Sequence, residues 1–131
     1  MSQENVEIVR AVLEKLNRGE WDAVVEDNGP DFQFDFSRAI GPQRGVFGPD
    51  GVPEFFRELA EHWESIRFEA DEFLIAGDCV VTPFTNRFRG RDGIEVQARA
   101  ALVWTLSDRK VASVTFYQER REALEAAGLE E

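Results

Sequence analysis

A single cysteine, Cys79, stands in the 131-residue chain, which excludes an internal disulfide. It lies beside Val80 and Val81 in a strand-like run and reads as a small buried hydrophobe rather than a nucleophile. There is also only one histidine, His62. One imidazole without clustered ligands has no recognisable metal spacing, so no metal is expected. Basic residues are scarce: 15 Lys and Arg stand against 26 Asp and Glu, a net charge of −11. Nucleic-acid binding needs a basic face to displace counterions from phosphates. No run here is basic enough to make one, so no nucleic-acid partner is expected, and the acidity is read as a solubility device. No apolar run approaches the roughly 20 residues of a membrane span. The first residues, Met-Ser-Gln-Glu-Asn-Val-Glu, offer neither a basic n-region nor an apolar h-region. The expectation is a cytoplasmic protein without membrane partners. Internal repeats and low-complexity segments are missing too, which leaves one domain over residues 1–131.

Hydrophobic residues make up 43% of the chain and eleven of them are Phe, a globular composition. The stretch from Ile94 to Gln118 organises the rest. It predicts two long β-strands joined by the tight turn Ser107-Asp108-Arg109-Lys110. Ile94, Val96, Ala98, Ala100, Leu102, Trp104 and Leu106 alternate onto one face, with Ala112, Val114 and Phe116 continuing it. A sheet with one apolar face needs a cover.

Helical spacing supplies that cover. Val6, Val9, Leu13 and Leu16 predict an amphipathic helix ended by Gly19. A short helix is expected at Glu20–Asp27, and a short strand at Asp31–Phe36 with Phe32, Phe34 and Phe36 opposite Asp35. Ser37–Gly51 carries four Gly and two Pro and reads as an irregular loop of the kind that borders sites. A third helix should begin at about Asp50–Pro53 and end near Ser65, with Val52, Phe56, Leu59 and Trp63 inward. Phe68–Ala76 reads as a bulged strand and Cys79–Arg89 as another, with Pro83 marking a bulge or an edge. Asp92-Gly93 is a hairpin signal, and a helical tail follows from Glu119. The fold class is therefore α+β: three helices from the N-terminal half on a curved antiparallel sheet, a cone whose open end suits a small molecule.

The runs Ser2-Gln-Glu-Asn-Val-Glu-Ile-Val-Arg, Asn17-Arg-Gly, Val103-Trp-Thr-Leu, Lys110-Val and Arg121-Glu-Ala-Leu-Glu-Ala-Ala-Gly-Leu resemble the SnoaL-like family of the nuclear transport factor 2-like (NTF2-like) superfamily. That resemblance implies an α+β cone, a pocket between sheet and helices, and a homodimer through the outer sheet face. It implies either of two functions. One is a cofactor-free, polyketide-cyclase- or isomerase-like enzyme that removes a proton beside a carbonyl of an apolar compound. The other is a non-catalytic pocket or dimeric scaffold domain. The first helix lacks the Tyr of the isomerase-like arrangement, Arg99 is followed by two alanines where the epoxide-hydrolase-like pattern has an Asp, and Leu102 stands where many relatives carry a His.

Asp35 is the candidate general base and His62 a candidate catalytic residue that polarises the substrate. Asn86 and Gln118 fall on inward strand faces and are candidates to hydrogen-bond a ligand carbonyl. Trp63 and Trp104 are expected to line the pocket or the core, Leu102 to make the pocket floor more apolar, and Arg38, on the loop, to meet an acidic ligand group. The opposite sheet face, with Arg87, Arg89, Gln97, Arg99, Ala101, Val103, Ser113 and Thr115, is the expected dimer surface.

Overall fold

The helical stripes form where their spacing puts them. The computed structural model describes residues 2–39 and 44–129. In α1 (Ser2–Asn17), Val6, Val9, Val12, Leu13 and Leu16 are buried. Gly19 then takes a positive φ of 77°, the left-handed conformation that closes helices at no Cβ penalty. A second helix, α2 (Trp21–Asn28), ends on a buried asparagine. Asn28 donates from Nδ2 to the Val24 carbonyl and accepts the Val111 N–H on Oδ1, at 2.7 and 2.9 Å. One side chain thus caps its helix and ties it to the sheet.

Two short strands follow, β1 (Gln33–Asp35) and β2 (Val46–Phe47). Within the expected loop, residues 40–43 lie outside the described residues. The third helix, α3 (Gly51–His62), keeps Pro53 in its first turn and buries Val52, Phe55 and Phe56. The remaining elements are β3 (Ser65–Ala70), β4 (Leu74–Ala76), β5 (Cys79–Arg89), β6 (Glu95–Ser107), β7 (Lys110–Tyr117) and α4 (Arg120–Ala126). No helix among the described residues is long and apolar enough to cross a membrane.

The seven strands make one open sheet in the order β2-β1-β7-β6-β5-β3, with β4 also paired to β5. The expectation of a purely antiparallel sheet is corrected at one seam, because β1 runs parallel to β7. Alternation reports which face a side chain takes, not the direction of a neighbour distant in sequence. Thr82 and Pro83 fall between the β4 and β3 pairings of β5. The prolyl nitrogen therefore sits at a break, a local edge inside a central strand.

Sheet and helices meet in one core. Val80, Phe84, Ala100, Leu102, Trp104, Leu106, Val111 and Val114 pack against the first three helices. Val111 takes the place expected for Ala112, because the β6–β7 register shifts at Thr105/Leu106 and a bulge turns the following residues by one. The inward face of β6 also outruns its cover: Ile94 and Val96 are 63% and 44% exposed. On the opposite face, α4 lays Ala123 and Leu124 on Val81, Ala101 and Val103. Ala101 and Val103, expected on an open dimer surface, are therefore buried within the chain. The face left open is polar, with Arg87 paired to Glu69.

The β6–β7 turn holds two non-glycine residues at positive φ, Asp108 at 53° and Arg109 at 64°. Such two-residue hairpin turns favour Asn-Gly, and a left-handed L-residue costs about 1–2 kcal/mol. Arg109 also pairs with Glu4 at 3.0 Å, but its side chain is 84% exposed and such pairs contribute little. Asp108→Asn with Arg109→Gly is expected to raise unfolding free energy by about 1 kcal/mol in a urea titration.

Candidate functional site

The open end of the cone holds a cavity of about 290 Å³. Its walls come from six elements. Helix α3 contributes Phe55 and Leu59, with Trp63 just beyond its end. Phe36 follows β1, Phe68 lies on β3, and Asn86 and Phe88 on β5. Ala98 and Ala100 come from β6, Phe116 from β7, and Gln118 from the residue after Tyr117. The period of two explains the strand set: Asn86 and Phe88 continue the face of buried Phe84, and Gln118 continues that of Phe116. Ring contacts hold the wall. Phe36 lies 5.0 Å from Phe55 and 5.3 Å from Phe116, and Trp63 lies 5.0 Å from Phe88. A second cavity of about 280 Å³ lies across Trp63 and Phe68, reaching Trp21 and Phe56.

Asn86 distinguishes the first cavity. Its neighbours across the strands are Phe68 and Ala98, neither of which offers a side-chain hydrogen bond. The Oδ1 atom is buried and has no hydrogen-bond partner among the described residues. Leaving a buried polar atom unpaired costs about 1–3 kcal/mol. Gln118 is committed at one end, its Nε2 donating to the Arg38 carbonyl at 2.7 Å.

Trp63, Asn86 and Gln118 are thus brought together around one cavity. The other expected site residues are elsewhere. Leu102 and Trp104 are 4% and 0% exposed and belong to the packed core, where Trp104 Nε1 donates to Thr82 Oγ1 at 2.9 Å. The Arg38 guanidinium lies 4.7 Å from the Tyr117 ring and 3.9 Å from Asp35, outside the cavity lining. His62 is exposed and is not part of the wall. It is the last residue of α3, and the chain turns extended at Trp63.

Asp35 is turned away from the Phe34 face, as alternation requires. It accepts from the Ser37 hydroxyl at 2.6 Å and from the Ser37 N–H at 3.0 Å. The Ser37 hydroxyl bond, chiefly, holds its carboxyl below the usual range, with the Ser37 N–H and Arg38 adding to this and partial burial opposing it. A general base works best with a pKa near the operating pH, and this carboxylate is displaced the other way. The Asp35 bond therefore adds stability above the unfolded value of about 3.9. That contribution disappears as pH falls through the lower native value. Ser37→Ala is expected to raise the Asp35 midpoint toward that value in an NMR titration of the side-chain carboxyl.

Of the described lining residues only Arg99 is titratable. Its cross-strand partner is Thr85, on the face opposite Phe84, where Thr85 Oγ1 donates to Asp71 at 3.3 Å. Arg99 therefore borders the cavity by its backbone and sends its charge outward. Among the described residues no three His, Cys, Asp or Glu side chains come together in a metal-holding group. Among the lining residues that sequence reasoning left out are Phe36, Phe55, Leu59, Phe68, Phe88 and Phe116. Their spacing marks them as apolar but does not separate core rings from cavity rings.

Comparison with known proteins adds the family. The sequence profile of the SnoaL-like domain matches residues 9–114. No curated protein matches. Among solved structures, TerC co-crystallized with polyporic acid is 20% identical, with a TM-score of 0.77 over 95% of this chain and 98% of that one. An NTF2-like protein of unknown function from Burkholderia pseudomallei K96243 is 24% identical, with a TM-score of 0.74 over 95% and 97%. A hypothetical protein with a ketosteroid isomerase-like fold from Catenulispora acidiphila DSM 44928, in complex with trimethylamine, is 14% identical, with a TM-score of 0.74 over 94% and 93%. At such identities these likenesses establish a shared NTF2-like fold, not a shared activity.

Proposed function

The chain belongs to the SnoaL-like domain family, and from that membership we propose that it is a pocket protein that binds a small, flat, largely apolar molecule in the cavity beneath Trp63. The observation that carries this reading is a cavity walled mainly by aromatic and aliphatic side chains with the amides of Asn86 and Gln118 among its lining residues. Apolar walls with a few placed polar groups are the usual chemistry of ligand sites, and about 290 Å³ is at the small end of their range. One or two rings fit that size. Two structural neighbours are described with small molecules, polyporic acid and trimethylamine.

The enzyme reading has Asp35 abstract a proton beside a carbonyl. It lacks a carboxylate or imidazole in the described lining, and Asp35 is occupied by Ser37. Turnover of a carbonyl compound that collapsed in Asp35→Asn would restore it. A homodimer through the outer sheet face, and residence in the cytoplasm, are further proposals of the same reading. The dimer would use the polar margin around Arg87, Gln97 and Arg99 that α4 leaves open, and sedimentation velocity tests it.

Titration with 2-naphthol, followed by two-dimensional NMR, tests the pocket. Saturable shifts are expected at the Trp63 indole N–H and the Asn86 side-chain amide. If no aromatic probe shifts either signal, the cavity is not a ligand site.

A further inference from the structure

Resting on the pocket reading above, we infer that Trp63 sets the length of ligand this protein accepts: it parts two adjoining chambers and confines the ligand to one of them. The two cavities are nearly equal in size, about 290 and 280 Å³. Trp63 and Phe68 line both, so these two residues stand between them. On the far side Leu16, Trp21, Phe56 and Ile66 are among the lining residues. They offer a further aromatic ring the same kind of surface as the first chamber does.

The two halves of the partition are held differently. Phe68 belongs to the fold. Its N–H donates to Asn17 Oδ1 at 2.8 Å, and its carbonyl accepts from Asn17 Nδ2 at 2.9 Å. Its ring lies 6.0 Å from Phe56 and 6.1 Å from Phe84, against the buried core. Trp63 stands outside that core cluster. It is half-buried, just past the end of α3, and its ring contact among the described residues is with Phe88, 5.0 Å away. The Glu64 N–H donates to the Arg89 carbonyl at 2.7 Å, which pins the chain beside Trp63 to the sheet. The backbone is therefore anchored, while the indole can be trimmed without opening the packed core. In the wild type the chamber ends at Trp63, after the one or two rings its volume holds. Without the indole the two chambers become one.

The test compares 2-naphthol with 6-phenyl-2-naphthol, the same head carrying a third ring in line, by calorimetry with NMR to locate each probe. The wild type is expected to bind 2-naphthol at least about tenfold tighter than the phenyl compound, because the third ring meets the partition. In Trp63→Ala the order should reverse by about tenfold or more, and the phenyl compound should shift the Trp21 indole N–H. Trp63→Leu, a smaller cut, should move the preference in the same direction. A dispersed amide spectrum reports that each variant is folded. Equal binding of the two probes by the wild type would overturn the length limit and leave the pocket reading standing. An unchanged order in the folded variants would overturn it as well. So would a reversal without a shift at Trp21, which would put the third ring outside the second chamber. Loss of the fold in both variants would make Trp63 a core residue and overturn it too. Failure of both probes to enter the wild-type cavity would remove the pocket reading and the inference together.

Discussion

Replacing Trp104 by alanine is expected to lower the unfolding free energy by about 4 kcal/mol, within the range of about 3–5 kcal/mol for buried Trp or Phe truncations. The side chain is fully buried and is the largest such group in the described chain. It lies between Val80 of β5 and Val114 of β7, its cross-strand partners, so the gap is walled on both sides by strands that cannot close in. The lost Nε1 bond also leaves Thr82 Oγ1, itself fully buried, without its donor. Domains of this kind are stable by about 5–15 kcal/mol, so the variant should be at the margin of folding. Urea titration measures the loss. Trp104→Phe should cost less, and adding Thr82→Val should recover part of it, since removing both partners of a buried bond is milder than removing one. A cost under about 1 kcal/mol, set against the truncation range above, would mean that Trp104 is not packed as described. The same variant separates core from site: Trp104 does not line the cavity, so Trp104→Phe should bind aromatic probes as the wild type does.

That separation was only half legible in the sequence. The period of two along β6 correctly put Ala100, Leu102, Trp104 and Leu106 on one face. It also put Asn86 and Gln118 inward, because each follows a buried or half-buried Phe by two residues. Alternation cannot say how far the cover extends along a face. Trp104 and Ala98 share a face, yet one is in the core and the other at the cavity mouth. The tail helix was visible as an element, but not its seat on Ala101 and Val103, a contact between segments about twenty residues apart. Asp35 is the clearest lesson. Its position opposite Phe34 was written in the strand pattern, and only family analogy argued for the pocket. What no local pattern contains is its capture by Ser37, two residues on, which lowers its basicity. The parallel pairing of β1 with β7 was equally out of reach, since it joins Phe34 to Val114 across most of the chain.

Filling the cavity from its mouth is expected to abolish ligand binding with the fold intact. Ala98 is the position for it. It lines the cavity and is exposed, so a larger side chain has room to enter without displacing packed neighbours. It also stands directly across from Asn86 in the β5–β6 register, where Cβ atoms on one face lie about 4.5–5.5 Å apart. In Ala98→Trp the indole should lie over the Asn86 amide and along Phe88, in the space a ligand ring would take. Affinity for 2-naphthol should fall at least about 100-fold, which corresponds to about 2.7 kcal/mol. Unfolding free energy should stay within about 0.5 kcal/mol, as for a surface substitution. Ala98→Ser is the matched control, small enough to leave the volume open, and should bind as the wild type does. The pair discriminates because steric occlusion scales with side-chain volume, whereas damage to β6 would appear as lost stability. If Ala98→Trp bound 2-naphthol unchanged, the cavity between α3 and the sheet would not be where this protein holds its ligand. The smaller chamber behind Trp63, lined by Trp21 and Phe56, would take its place.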